Sequence, residues 1–255
     1  MNRAAVALLS ERPIPQVSLP RYELVEWGES YGVVVGITGR DPSCDFGFTS
    51  GDPADIVVAR WRRLSHELAA GLSGIVVSRQ VHGSAVGVHE GRVEGLLLKD
   101  GLDGHVSATA GVILAVTVAD CVPVYLVHPA SGAVGLVHAG WKGVAAGVME
   151  QGVECLCRVA RAVPSDIVIH CGVSICGSCY EVRPEVYERV TGVSVAGPTG
   201  LDLRANLLDR AVALGVGSAT CSGWCTAHDN DRFYSHRASQ GAAGRMVAYV
   251  GRPNT

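Results

Sequence analysis

Two histidines and a cysteine, each following an apolar run, are the residues of this sequence best placed to do chemistry. His82 follows the run at residues 75–78 through Arg79-Gln80-Val81, Cys121 follows residues 111–118 through Ala119-Asp120, and His138 follows residues 133–137 directly. Two imidazoles and a thiolate leave a fourth position open on zinc, the arrangement of a catalytic ion that binds water or substrate. The same residue types allow a second chemistry, with Cys121 as a thiolate nucleophile and His138 as its base, because a Cys and a His distant in sequence can meet in the fold. Spacing does not separate the two. Any one of the three taken alone reads as a core or loop residue, and only their shared placement at strand ends argues for a site. Where strands feed helices, ligands bind in the crevice past the strand ends.

Copper suits the same donors less well. A blue-copper site wants a weak axial Met, and only Met149 and Met246 follow the initiator; a multicopper cluster wants paired histidines, and none of the nine histidines forms a His-x-His pair. Cys176-x-x-Cys179 and Cys221-x-x-x-Cys225, with Cys171 nearby, have chelating spacing for a structural four-thiolate zinc, although a chain with this much core needs no metal to fold and small buried thiols are the plainer reading. Two cations lie near the trio: Arg79, and Lys142 just before a helix start, where backbone N–H groups and the helix dipole favour an anion such as phosphate. The glycines around Lys142 do not have phosphate-loop spacing. In the tail, Tyr234-Ser235-His236-Arg237 and Gly244-Arg245 set polar groups just ahead of the last strand.

The elements that must position these residues follow from hydrophobic patterning. Residues 111–118 and 133–137 are near-continuous apolar runs, the mark of strands buried on both faces. Residues 33–37, 75–78, 85–88, 167–171 and 247–250 predict further strands. Asp52-Pro53-Ala54-Asp55 predicts a helix with Asp52 as its cap, running to about Ala70 and closed by Gly71. A continuous helix is expected from Val144 to Pro164, a short one over 184–190, and one over 203–214 capped by Asp202 and stopped by Gly215. The irregular alternation, with possible hairpins at 85–88 and 133–137, predicts an α/β (α+β mixed) fold built on a mixed sheet or a pair of sheets.

Composition bounds the rest. The 255 residues hold 48% hydrophobic and 18% charged side chains with no linker-like stretch, which predicts one domain over 31–255 after a frayed leader at 1–30. A net charge of −3, with signs interspersed, gives no footprint for nucleic acid. The apolar runs fall short of the ~20 residues of a membrane helix. Nine cysteines in a chain able to build its own core favour a reducing cytoplasm over secretion. Monomer and dimer both stay open.

Taken in order, Gln80-Val81-His82-Gly83, Ala119-Asp120-Cys121-Val122-Pro123, His138-Ala139-Gly140-Trp141-Lys142-Gly143, Gly172 through Cys179-Tyr180-Glu181-Val182, Asp202-Leu203 and Tyr234-Ser235-His236-Arg237 with Gly244-Arg245-Met246 resemble the laccase-domain family, once called multicopper polyphenol oxidases and now regarded as zinc-dependent purine nucleoside enzymes. The resemblance implies a layered α-β-β-α sandwich, a zinc held by His82, Cys121 and His138, and phosphorolysis of adenosine, inosine, guanosine and methylthioadenosine together with deamination of adenosine. Asp103 falls where the family usually has an Asp-Ala pair. Asp120 and Asp103 are then the candidate acid/base groups, and Arg79, Lys142 and Arg237 the candidate phosphate ligands. The chain departs from the family in its glycine-rich loop, reduced to Thr38-Gly39-Arg40 and a divergent stretch at 46–51, and in Ala238, where a second arginine often stands. Alternatives are a cysteine hydrolase acting on cell-wall precursor linkages through Cys121, a copper polyphenol oxidase, which the donor set disfavours, and a binding module that kept the fold.

Overall fold

The run at 112–118 alternates between two cores: Val112, Leu114, Val116 and Val118 face one, Ile113 and Ala115 the other. A strand apolar on both faces has to be covered on both. In the computed structural model of the chain, which describes residues 7–48, 51–68 and 70–254, it lies inside a four-layered sandwich. In chain order the strands are β1 (Ala7–Leu8), β2 (Arg12–Pro13), β3 (Arg21–Glu23), β4 (Val34–Thr38), β5 (Gly74–Arg79), β6 (Val86–Val88), β7 (Gly95–Asp100), β8 (Gly104–Ser107), β9 (Val112–Val118), β10 (Val122–His128), β11 (Ala133–Ala139), β12 (Val168–Cys171), β13 (Glu181–Val182), β14 (Thr199–Gly200), β15 (Ser218–Cys221) and β16 (Met246–Gly251). The helices are α1 (Val25–Tyr31), α2 (Ala54–Glu67), α3 (Trp141–Ala145), α4 (Val148–Ala160), α5 (Pro184–Thr191) and α6 (Leu203–Leu214).

One sheet runs β1-β15-β12-β10-β11-β8-β6, the second β2-β3-β4-β16-β9-β5-β7, and both mix parallel and antiparallel pairs. Between them lies a core that includes Ile37, Leu114, Val116, Tyr125, Leu136 and Val250. The outer face of the first sheet is covered by α3 to α6 through Val144, Val153, Leu156, Leu207 and Ala211, and that of the second by α2 through Trp61 and Leu64. This is the α-β-β-α layering expected from the resemblance. Among the described residues no helix is long and apolar enough to cross a membrane.

Several local expectations are corrected. The helix expected from Val144 to Pro164 is two helices, α3 and α4, because Gly147 adopts a left-handed φ of 80° between them. Asp52 does not cap α2; its carboxylate pairs with Arg60 at 2.5 Å and Pro53 occupies the cap position. Strand β10 was hidden by Pro123, which fits because pairing with β12 begins only at Val124.

The frayed leader is also replaced by structure, at least from residue 7 onward; residues 1–6 lie outside the described ones. Strand β1 pairs in parallel with β15, β2 and β3 extend the second sheet, and α1 places Trp27 in the core. The segment is anchored by Glu11, only 1% exposed, whose carboxylate accepts from Ser222 Oγ at 2.6 Å and Val173 N at 3.3 Å and lies 3.3 Å from His170 Nε2. Burial pushes its pKa up, but His170 and Ser222 outweigh burial and leave it below the ordinary carboxylate value. Its contribution is therefore present above the unfolded-state carboxylate pKa and is lost as pH falls through the lower folded-state value. Replacing Glu11 with Ala strands His170 and Ser222, and should cost about 3–5 kcal/mol in urea denaturation at neutral pH. A loss below about 1 kcal/mol would mean that the segment is not anchored here.

Candidate active site

Three crossings between the sheets converge on one edge of the sandwich. His82 lies where the chain passes from β5 in the second sheet to β6 in the first, Cys121 where it passes from β9 to β10, and Asp103 where it passes from β7 to β8. His138 comes up beside them near the end of β11. The donor atoms of His82, Cys121 and His138 all lie within 4.8 Å of one another, with the two imidazoles edge to face at 82°. Gly140 makes the approach possible: a Cβ there would sit 3.0 Å from Cys121 Sγ and 3.2 Å from His82 Cδ2.

Asp103, fully buried, organises the group. Its carboxylate accepts from the backbone N–H of Val81 at 3.2 Å, His82 at 2.9 Å and Gly83 at 2.7 Å, and from His138 Nδ1 at 3.0 Å. Three converging amides hold the loop against the carboxylate and keep His82 at a left-handed φ of 59°, a strained conformation for a side-chain-bearing residue. Donation from Nδ1 leaves His138 Nε2 as the free donor atom, the carboxylate–histidine arrangement that orients metal ligands. Burial raises the Asp103 pKa, but His138 and the amides of Gly83 and Val81 overcome it and hold the group ionised below its ordinary value.

Asp120, with φ of 87°, is clamped in a comparable way: Oδ1 accepts from Thr226 Oγ1 at 2.5 Å and Oδ2 from the Arg237 N–H at 2.7 Å. Its carbonyl accepts from Ile175 N at 3.0 Å. The Asp103 carboxylate thus spends its lone pairs on positioning, whereas each oxygen of Asp120 accepts one bond. Burial pushes the Cys121 thiol up, but His138 and His82 overcome it and bring it down to about 6, while His138, lowered by burial, is drawn up to about 9 by the Cys121 thiolate and Asp103.

The donor set fits zinc. Two imidazoles and a thiolate converge from one side, and the other side opens on a cleft of about 410 Å³ walled by Phe48, Arg79, Gln80, Thr117, His236 and Arg245, among others. Gln80 is fixed by Thr117, accepting from its N–H at 2.7 Å and donating to its carbonyl at 2.9 Å. Of the cations expected to meet phosphate, Arg79 lines the cleft and also pairs with Asp100 at 2.5 Å. Lys142 and Arg237 do not line it. Lys142 sits over the ring of Trp141 in a helix of only five residues, and Arg237 lies over the Tyr180 ring while donating to the Glu181 carbonyl at 2.8 Å. Arg245 and His236 take their place in the wall; both stand in tail motifs whose types were noticeable, but whose distance from the trio in sequence gave no reason to rank them above Arg237.

A family model described as "Multi-copper polyphenol oxidoreductase laccase" matches residues 32–253. The chain belongs to this laccase-like family. A curated relative, purine nucleoside phosphorylase YlmD of Geobacillus stearothermophilus, is 34% identical over 249 residues, covering 87% of this laccase-like chain and 90% of the relative. Adenosine deaminase RL5, from an unknown prokaryotic organism, is 33% identical over 226 residues, with 81% and 85% covered. The crystal structure of YlmD from G. stearothermophilus superposes with a TM-score of 0.82 at 30% identity, over 94% of this chain and 98% of that one. The fold and the family named for this laccase-like chain therefore agree.

Two outcomes test the site. Asp103→Asn keeps the size but cannot accept from three amides and an imidazole at once, and zinc affinity measured by competition should fall about 10–100-fold; unchanged affinity would remove Asp103 from its positioning role. In metal-stripped protein, alkylation of Cys121, followed by peptide mass, should rise with pH through a midpoint near 6 and not near the ordinary thiol value of roughly 8.5.

Proposed function

We propose that the chain is a zinc-dependent purine nucleoside phosphorylase with adenosine deaminase activity, acting on adenosine, inosine, guanosine and methylthioadenosine. The observation that carries this reading is the open side of the His82–Cys121–His138 donor set, which faces a cleft flanked by Arg79, Arg245 and His236. The names of YlmD and RL5 support the two reactions. His82, Cys121 and His138 would hold the zinc, which supplies a Lewis acid and lowers the pKa of a bound water to ~7.

The chain's own residues do the rest. Arg79 and Arg245 offer positive charge to a phosphate dianion, placing it for attack at C1′ of the ribose, where the C1′–N bond breaks and a C1′–O bond forms. His236 is the cleft imidazole able to hand a proton to the departing base. Phe48, stacked at 4° on Trp61, gives the cleft a flat apolar surface suited to a purine ring. Asp103 and Asp120 position the donor set, and the four bonds accepted by Asp103 leave proton transfer to Asp120, His236 or water. Zinc is preferred to copper because, among the described residues, no methionine lines the cleft: Met149 packs in the helix-side core and Met246 between the sheets. Nine free thiols suit a cytoplasmic setting.

A second reading has one observation in its favour. The lowered Cys121 and raised His138 make a thiolate–imidazolium pair, the resting state of a cysteine hydrolase such as one acting on cell-wall precursor linkages. Metal content separates the two, since a metal-free protein that stays active and is silenced by alkylation of Cys121 would favour the hydrolase.

Metal-replete protein supplied with inosine and phosphate should release hypoxanthine and ribose 1-phosphate, and adenosine should yield inosine and ammonia. Cys121→Ser should fold normally, because the packing of Val116, Val118 and Val137 is untouched, yet lose the zinc held by His82, Cys121 and His138 and both activities together by roughly 100-fold or more. Phosphorolysis near the wild-type rate in Cys121→Ser would sink the shared-metal account.

A further inference from the structure

The cysteines that the nucleoside site leaves unused are sorted by the fold in an unexpected way. Cys171 and Cys221 are strand partners in β12 and β15, both buried, and burial raises both thiols. They are core residues. The pairing of Cys221 with Cys225 as a chelate is therefore corrected. Cys225 turns away from β15 into the following loop and meets Cys176, Cys179 and His228, and the four donor atoms lie within 4.8 Å of one another. The combination is two chelating pairs of equal spacing, Cys176-x-x-Cys179 and Cys225-x-x-His228, brought together from parts of the chain about 50 residues apart.

We propose that Cys176, Cys179, Cys225 and His228 form a second metal site, a closed tetrahedral Cys3His site for zinc, with a structural role. The geometry carries it. Bonds of about 2.3 Å to sulfur and 2.0 Å to nitrogen put neighbouring donors about 3.5–3.8 Å apart. The His228 ring lies against two of the thiols, with Nε2 3.1 Å from Cys179 Sγ and Nδ1 3.8 Å from Cys176 Sγ, and one of these nitrogens would be the ligand. Residues 176–179 form a tight turn in which the N–H groups of Cys179 and Tyr180 both donate to the Cys176 carbonyl at 3.1 Å. The Cys176 N–H donates to Cys225 Sγ at 3.3 Å, an amide-to-sulfur bond that favours a thiolate there. Cys225 N donates in turn to Asp229 Oδ2 at 2.9 Å, fixing the second chelating turn.

Four protein donors fill the tetrahedron, so this ion has no place for substrate. What it would do is join two loops. The same two segments touch again where Ser174 bridges Cys225 and where Thr226 N donates to the Ser174 carbonyl at 3.2 Å. From these loops come Ile175 N and Thr226 Oγ1, two of the groups that clamp Asp120 immediately before Cys121. A zinc here would staple together the structure behind the first site without belonging to it.

The test counts metal and does not depend on any nucleoside activity. His82→Ala/Cys121→Ser protein, grown with zinc and purified under reductant, should keep one zinc per chain, and adding Cys179→Ser and His228→Ala should remove it. In the same double variant, cobalt should give tetrahedral d–d bands and a sulfur-to-cobalt charge-transfer band that falls by about a third when Cys179→Ser is added. A strong chelator should lower its melting temperature by roughly 5–10 °C. The proposal is overturned if the His82→Ala/Cys121→Ser protein carries no zinc, if zinc survives loss of both Cys179 and His228, or if Cys176 and Cys179 form a disulfide in protein kept under reductant.

Discussion

The buried carboxylate of Asp103 is the constraint on which the site depends. Placing an ionised carboxylate where it is fully hidden from water is costly unless every oxygen is engaged, and here three amides and an imidazole engage it. Those partners are the loop that carries His82 and the ring of His138, so satisfying one buried charge also brings two donor residues to their places. A backbone bond from His138 N to the Asp103 carbonyl at 2.7 Å ties the same two elements a second time. Cys121 is delivered separately, at the end of a strand buried on both faces, and Gly140 supplies the space for its sulfur to meet the imidazoles.

The four-layered architecture explains why such a cluster forms at this edge. Each sheet is closed on its outer face by helices and on its inner face by the other sheet, so both faces are mainly apolar and most polar groups are kept off them, the paired Glu11 and His170 being an exception. Polar groups collect where the chain leaves one sheet for the other. His82, Asp103 and Cys121 all stand on such crossings, and Arg245 lies just ahead of β16 on another. Strain collects there too. Asp120 and His82 both hold left-handed backbone conformations, and each is kept by bonds from elements remote in sequence. Rigid strand ends and over-determined turns are the means by which a donor set can be preorganised before any metal arrives.

The sequence carried much of this openly. Strands β9 and β11 were legible because a strand buried on both faces is apolar without interruption, and α6 because Asp202 and Gly215 mark its ends, with the Asp202 carboxylate accepting from Ala205 N at 2.9 Å. Strands β7 and β15 were not legible, since partly exposed strands have no such continuous pattern. The break at Gly147 was invisible for a different reason: the apolar spacing on either side stays roughly in helical phase, and it is the left-handed backbone of Gly147 that sets the two helices apart.

His82, Cys121 and His138 were legible as candidates in the sequence alone, because residue type and a position just past an apolar run are local properties. Their convergence was not, and neither were the roles of their neighbours. Whether Asp103 transfers protons or holds a loop depends on how many donors surround it, and those donors come from residues 81–83 and 138. Whether Arg237 or Arg245 faces the cleft depends on which way a long irregular segment turns before β16. The partner of Cys225 is likewise decided by a loop crossing that brings Cys176 and Cys179 to it and leaves Cys221 in a strand. Spacing can propose a chelating pair, but a cluster is made by contacts between distant segments, and those are set only when the two sheets pack and the loops at their edge are forced together.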